Sequence, residues 1–356
     1  RRTHYPRGYG DAFGEYKMKL IRSIDAAGLV LCHDMTQIIK DEFKGPRFKK
    51  GHVVTEADIP VLLSMGKENL YVWEMTPGML HENDAAARLA ALCQGNGMTS
   101  GAVREGKIEL FAESDGLFTV ESEKLLAMNS IDEIIISTRH GNTAVRKGDL
   151  LCGTRVVPLV ISEANIEAAE EIADGTAILS VVPYTLKTAG VITTGSEIFH
   201  GRIQDKFTPV IEKKLADFGI AVTEHAVVDD GTEHILAAIS AMREKKVDLI
   251  LCTGGMSVDP DDNTPSAIKA SGADIVTYGA PVLPGAMFLL GYYADGAPVL
   301  GLPGCVMYAA ATIFDLALPR IAAGKRMNKT DFVRMGEGGL CLKCAVCHHP
   351  ICPFGK

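Results

Sequence analysis

The segment Asp248–Asp262 reads DLILCTGGMSVDPDD. Leu249, Ile250 and Leu251 predict a buried strand that runs into the paired glycines Gly254 and Gly255. Ser257, Asp259, Asp261 and Asp262 follow within a few residues. Glycines without Cβ atoms let a backbone approach a ligand closely. The carboxylates are hard oxygen donors of the kind Mg²⁺ takes. A second concentration lies near the other end of the chain, Cys341-x2-Cys344-x2-Cys347-x4-Cys352-Pro353, with His348 and His349 inside it. Four thiolates at this spacing can wrap one tetrahedral Zn²⁺ or hold an iron–sulfur cluster; the alternative is a disulfide-prone or disordered tail. Cys32, Cys93, Cys152, Cys252 and Cys305 stand mostly in apolar contexts and read as buried thiols.

Three further loops carry similar chemistry. The first is Thr193-Thr194-Gly195-Ser196-Glu197-Ile198, followed by Gly201-Arg202-Ile203-Gln204-Asp205. The second is Val228-Asp229-Asp230-Gly231, and the third is Gly301-Leu302-Pro303-Gly304-Cys305. All fall at predicted strand ends or helix starts, where backbone N–H groups suit phosphate. Ser257, Thr264 and Ser266 add hydroxyl donors. Glu197, Asp229 and Asp262 would repel a phosphate unless a divalent cation lay between. His200 and His225 read as surface residues.

The elements that must hold these loops alternate. Strands are predicted at 187–193, 221–228, 247–253, 274–277 and 299–302, and helices at 207–218, 232–245, 265–271 and 308–322. That alternation predicts an α/β unit with a three-layer, mostly parallel sheet over residues 185–325. Its ligands would then sit beyond the carboxyl ends of the strands. Residues 1–17 read as an N-terminal arm, 18–78 as a first small region, 79–184 as a small α+β or β-rich domain, and 326–356 as the cysteine-rich tail. The helix expected over 83–93 rests on Ala86, Leu89, Ala90 and Cys93 at helical spacing.

Composition narrows the function. The 356 residues carry a formal net charge of −8, which argues against a general nucleic-acid or anionic-membrane surface. No apolar run approaches the ~20 residues of a membrane span. No signal peptide is visible, and the scattered thiols suit a reducing cytoplasm.

The ordered set TTGSEI, G-x-I-x-D, V-x-D-D, TGGMSVDPDD-x-TP and LPG, from about Thr185 to Ala323, resembles the molybdopterin-binding domain of the MoeA, MogA, MoaB and CinA-like families. The likeness of residues 25–182 to the MoeA N-terminal region makes a MoeA-like protein the nearest expectation. Three motifs depart from MoeA: Asp259-Pro260-Asp261-Asp262 for G-D-x-D, Pro284-Gly285-Ala286-Met287 for P-G-K-P, and Leu302-Pro303-Gly304-Cys305-Val306 for L-P-G-N-P. The missing lysine removes a point charge for molybdate or phosphate. The run from Asp262 to Pro265 leans toward MogA.

The resemblance implies that Thr194, Gly195, Ser196, Gly254, Gly255, Ser257, Thr264, Pro303 and Gly304 hold the molybdopterin phosphate. Asp229 and Asp262 would bind Mg²⁺, and Asp262, Asp229 and Glu197 would be catalytic. Outside that family pattern, and by their spacing alone, Cys341, Cys344, Cys347 and Cys352 would hold zinc or an iron–sulfur cluster. The reaction expected is Mg²⁺-dependent adenylyl transfer to molybdopterin from ATP, or molybdate insertion into an adenylylated molybdopterin, in a cytoplasmic homo-oligomer. Two alternatives stay open: a CinA-like nucleotide pyrophosphatase and a non-catalytic molybdopterin carrier or sensor.

Overall fold

The computed structural model describes residues 18–39, 43–73, 77–157, 159–257, 259 and 262–356. The expected arm at 1–17 and the carboxylate Asp261 lie outside the described residues.

The α/β unit is built from runs of apolar residues that alternate faces. Its strands are β1 (Thr188–Thr194), β2 (Ala221–Val228), β3 (Leu249–Thr253), β4 (Asp274–Tyr278), β5 (Leu289–Tyr292) and β6 (Pro298–Leu302). They form one sheet in the order β2-β1-β3-β6-β5-β4. The helices are α1 (Ser196–Phe199), α2 (Phe207–Ala216), α3 (Thr232–Glu244), α4 (Thr264–Ala270) and α5 (Ile313–Ala322). Ala189 and Val191 on β1 pack in one cluster with Ile211 and Leu215 of α2 and Phe314 of α5. Ile192, on the opposite face, packs with Ile235 and Ile239 of α3 and Ile268 of α4. Successive strand residues point to opposite faces, so helices cover both sides of the sheet.

The sheet is mixed rather than mostly parallel. The pairings β2–β1, β1–β3 and β3–β6 are parallel; β6–β5 and β5–β4 are antiparallel. The reason is the strand Leu289–Tyr292, hidden in an apolar run that predicts no strand. A short turn closed by Tyr293 N–H donating to the Ala297 carbonyl at 3.0 Å joins it to β6, and so short a connection can only join antiparallel neighbours.

Among the described residues the other named strands pair antiparallel. Strands Ile134–Thr138, Leu150–Val156, Lys107–Ala112 and Met98–Ser100 form one sheet. Helices Glu82–Cys93 and Glu163–Ala173 pack on it through Ala86, Leu89 and Ile166. Arg88 ties the two helices, donating to Glu170 at 2.8 and 2.9 Å and to Glu163 at 2.8 Å. A further cluster, with Leu31, Leu62 and Val72 at its centre, belongs to the first small region.

The tail returns to the α/β unit. Cys341 N–H donates to the Leu283 carbonyl at 2.8 Å. Phe354 is 4% exposed within the cluster that contains Leu316 and Phe314.

Candidate functional site

The register of the parallel strands gathers the four loops at one edge. Thr194 pairs with Val228, Thr193 with Thr253, and Thr253 with Leu302. Each chain therefore leaves the sheet at the same height, and the loops after β1, β2, β3 and β6 stand side by side.

Asp230 joins three of them. Its Oδ2 accepts from the backbone N–H and the hydroxyl of Ser196, at 2.9 and 3.0 Å. Its carbonyl accepts from Asn263 Nδ2 at 3.0 Å. The sequence offered Asp230 only as a helix-start charge; its partners lie more than thirty residues away on either side, and only the parallel register brings them together.

The paired glycines form a notch against β1. Gly254 and Gly255 have φ of +84° and +54°, the left-handed region that side chains resist. A Cβ on Gly254 would stand 2.5 Å from the Thr194 carbonyl oxygen and 2.7 Å from its Oγ1. A Cβ on Gly255 would stand 3.0 Å from Thr264 Oγ1 and 3.5 Å from Thr194 Oγ1. Thr264 is engaged, donating to the Gly254 carbonyl at 2.9 Å. Thr194 Oγ1 is buried and has no hydrogen-bond partner. Tyr278, on β4, holds the turn from the other side by donating to the Met256 carbonyl at 3.1 Å.

The acidic side chains spend part of their capacity on their own loops. Asp262 Oδ2 accepts from Ser257 N–H at 2.7 Å and from its hydroxyl. Asp229 Oδ1 accepts from Gly231 N–H at 3.0 Å and lies 2.6 Å from His234 Nδ1. The His234 contact, then the Gly231 N–H, lower the Asp229 pKa, and the same contact raises that of His234. Glu197 is exposed on α1. Pro303 is buried and Gly304 exposed, with open space where a Cβ would point.

Beneath the loops lies a polar knot that the sequence reading missed. Burial alone would raise the Asp205 pKa. Hydrogen bonds from the Thr208 hydroxyl, the N–H groups of Thr208 and Phe207, and the Thr193 hydroxyl outweigh it and leave the carboxyl below its usual range. His225 is exposed, as expected of it, and places Nε2 3.1 Å from both the Thr193 and Thr208 hydroxyls. The spaced G-x-I-x-D was the available signal; the partner on the neighbouring strand was not.

The metal expectations are not met by convergence. Among the described residues no three His, Cys, Asp or Glu side chains gather as a group able to hold a metal ion. In the tail, Cys341 and Cys352 pack against the hydrophobic core while Cys344 and Cys347 are exposed. Docking of Phe354 and its neighbours draws two thiols inward, and the four do not form a cage. Asp229 and Asp262, expected around Mg²⁺, likewise belong to no three-donor group.

Comparisons agree with part of this picture. Residues 190–323 match a family model described as "Probable molybdopterin binding domain", and residues 20–74 match one described as "Domain of unknown function". A CinA-like protein of Mycobacterium tuberculosis is 36% identical over 76 residues, which is 21% of this chain and 18% of that protein. A competence-damage inducible protein of Bacillus cereus is 34% identical over 90 residues, 25% of this chain and 22% of that protein. The chain thus spans about a fifth of the length of the curated relatives it matches. Among solved structures, CinA of Thermoplasma acidophilum is 23% identical, covering 38% of this chain and 98% of that one, with a TM-score of 0.34. The tungsten cofactor synthesizing protein MoaB of Pyrococcus furiosus is 19% identical, covering 40% and 99%, with a TM-score of 0.33.

The curated relatives overturn the expectation that MoeA is nearest. At Pro284–Met287 and Leu302–Val306 the lysine and asparagine expected from the MoeA resemblance are absent. What the chain resembles is a molybdopterin-binding type of α/β unit, with named relatives that are CinA-like rather than MoeA-like.

Proposed function

We propose that the loops at the carboxyl ends of β1, β2, β3 and β6 bind a phosphate-bearing ligand of the nucleotide or pterin class, and that the reaction is hydrolysis of a nucleotide pyrophosphate bond. In that step water adds across a phosphoanhydride and leaves two phosphate monoesters. One observation carries the reading: the buried Thr194 hydroxyl stands without a partner beside the notch left by Gly254 and Gly255. An unpartnered buried hydroxyl costs about 1–3 kcal/mol. A phosphate oxygen in the notch would restore that bond.

The acids fit this role. Asp229 and Asp262 each commit one carboxylate oxygen to their own loop and keep the other outside those bonds. Mg²⁺ is usually held by one or two carboxylates together with the phosphates of its substrate. When bound, it would neutralise charge on the phosphates. Glu197, exposed next to the Ser196 turn, is the side chain free to orient water. Gly195, Ser196, Ser257, Thr264, Pro303 and Gly304 shape the phosphate loops.

A second reading, a non-catalytic molybdopterin carrier, is favoured by Ala286 and Cys305, which stand where the resemblance expects a lysine and an asparagine. Mass spectrometry of products from ADP-ribose with Mg²⁺, and from molybdopterin with ATP and Mg²⁺, separates the readings. The expected result is AMP from ADP-ribose. Adenylylated molybdopterin without that cleavage would replace hydrolysis by transfer, and pterin binding without either product would favour the carrier. Thr194→Val is expected to weaken ligand binding about ten-fold, the equivalent of one hydrogen bond, while leaving the melting temperature equal or higher. Unchanged affinity in that variant would remove the notch from the site.

A further inference from the structure

A cleft of about 890 Å³ opens on the α2 and α5 side of the molecule, separate from the glycine notch. Four parts of the chain supply most of its lining: the segment 139–149 of the central antiparallel region, helices α2 and α5, the segment 306–310 before α5, and the end of the tail from Cys347 to Lys356. Its volume lies in the range of small-molecule sites.

The charge of this cleft runs against that of the chain. Six Lys and Arg line it against four Asp, in a protein whose formal net charge is −8. Two of those acids are already neutralised, Asp315 by Lys214 and Asp149 by Arg139. Lys356 Nζ donates to a neutral acceptor, the Pro350 carbonyl, at 2.7 Å. Arg320 is 12% exposed; its nearest carboxylate oxygen, on Asp331, lies at 3.7 Å, and its Nε is buried without a partner. A buried guanidinium so weakly compensated is costly. Arg146 and Lys213 add two more cations to the lining.

The rest of the wall is apolar and aromatic. Tyr184 and Phe218 meet edge to face with centroids 5.0 Å apart, and Tyr308 stands at the rim, 77% exposed. Cations with unspent charge beside aromatic rings suit a ligand that joins a phosphate to a flat ring, through charge-assisted hydrogen bonds and stacking.

We propose that this cleft is a second ligand site, for a nucleoside monophosphate or a like aromatic phosphate ester, with Arg146, Lys213, Arg320 and Lys356 around the phosphate. It does not depend on the reading of the glycine notch. Calorimetric titration of the full chain with AMP tests it, with adenosine and inorganic phosphate as controls. Arg320 is too deeply packed to replace safely, so the cleft variant is Arg146→Glu with Lys213→Glu; the notch variant is Thr194→Val. The expected result is saturable AMP binding with a component that the cleft variant weakens at least ten-fold and that persists in Thr194→Val, whatever that variant does to binding at the notch. Adenosine should bind at least ten-fold more weakly than AMP. No saturable binding of AMP, binding unchanged in the cleft variant, or equal affinity for AMP and adenosine would each overturn the proposal. If AMP is lost only from Thr194→Val, the cleft is not a site and the notch reading stands.

Discussion

Asp205 takes four hydrogen bonds around a carboxyl whose pKa burial alone would raise. Its folded pKa lies below the value of an unfolded aspartate, about 3.9. Its stabilisation is therefore complete above about pH 4 and fades as the pH falls through the lower folded value. Asp205→Asn is expected to lose about 1–3 kcal/mol at pH 7, and its deficit relative to the parent should shrink below pH 4. Urea unfolding across pH 2–7 reads this, and a deficit that stays constant with pH would remove the carboxylate as the cause. Much of the residue-scale chemistry was legible because it is contiguous: Gly254, Gly255, Ser257 and Asp262 fall within one short run. Asp230 and His225 were not, because their partners on Ser196 and Thr193 are neighbours only once the strands take their register.

At the scale of elements, the loops depend on backbone shapes that only some sequences accept. Gly254 and Gly272 have almost the same φ, +84° and +85°, but only Gly254 has a neighbour in the way. Gly272→Ala should cost about 1 kcal/mol of backbone strain. Gly254→Ala adds a collision with the Thr194 carbonyl and should cost about 3 kcal/mol or more. Denaturant midpoints of the two variants check the difference, and equal costs would mean that the notch is not as tight as described. Strands with unbroken apolar runs, such as Leu249–Thr253, were readable from the sequence. The hairpin Met35–Ile39 with Phe43–Phe48 was not, since its outward Ile38, Ile39 and Phe43 and internal Pro46 obscure a two-residue period. Leu289–Tyr292 was lost for the opposite reason: it is apolar on both faces and lies in a longer apolar stretch.

At the scale of the molecule, the tail is part of the α/β core. Phe354 is almost fully buried, in the cluster shared by α2, α5 and β6. Phe354→Ala should destabilise the α/β unit by about 3–5 kcal/mol and release the cleft wall formed by the tail. The cluster around Leu31, Leu62 and Val72 contains none of these residues. Melting followed by calorimetry should therefore show the loss in one transition only, and an unchanged melting profile would show that the tail is not anchored there. The alternation of strand and helix announced the α/β unit, but nothing local in the cysteine spacing announced that Cys341 and Cys352 would turn toward carbon rather than toward each other.

The strand order also divides the pocket walls by how easily they breathe. β1, β3 and β6 are each flanked on both sides, whereas β2 has β1 as its only neighbour among the described residues. Amide protons of the three inner strands should exchange with deuterium only through global opening, and those of the outer strand through local fraying. Three walls of the pocket thus stand on the slowest backbone in the domain. The turn Asp229–Gly231 stands on an edge strand, so it is the wall whose amide exchange should respond first when a ligand binds.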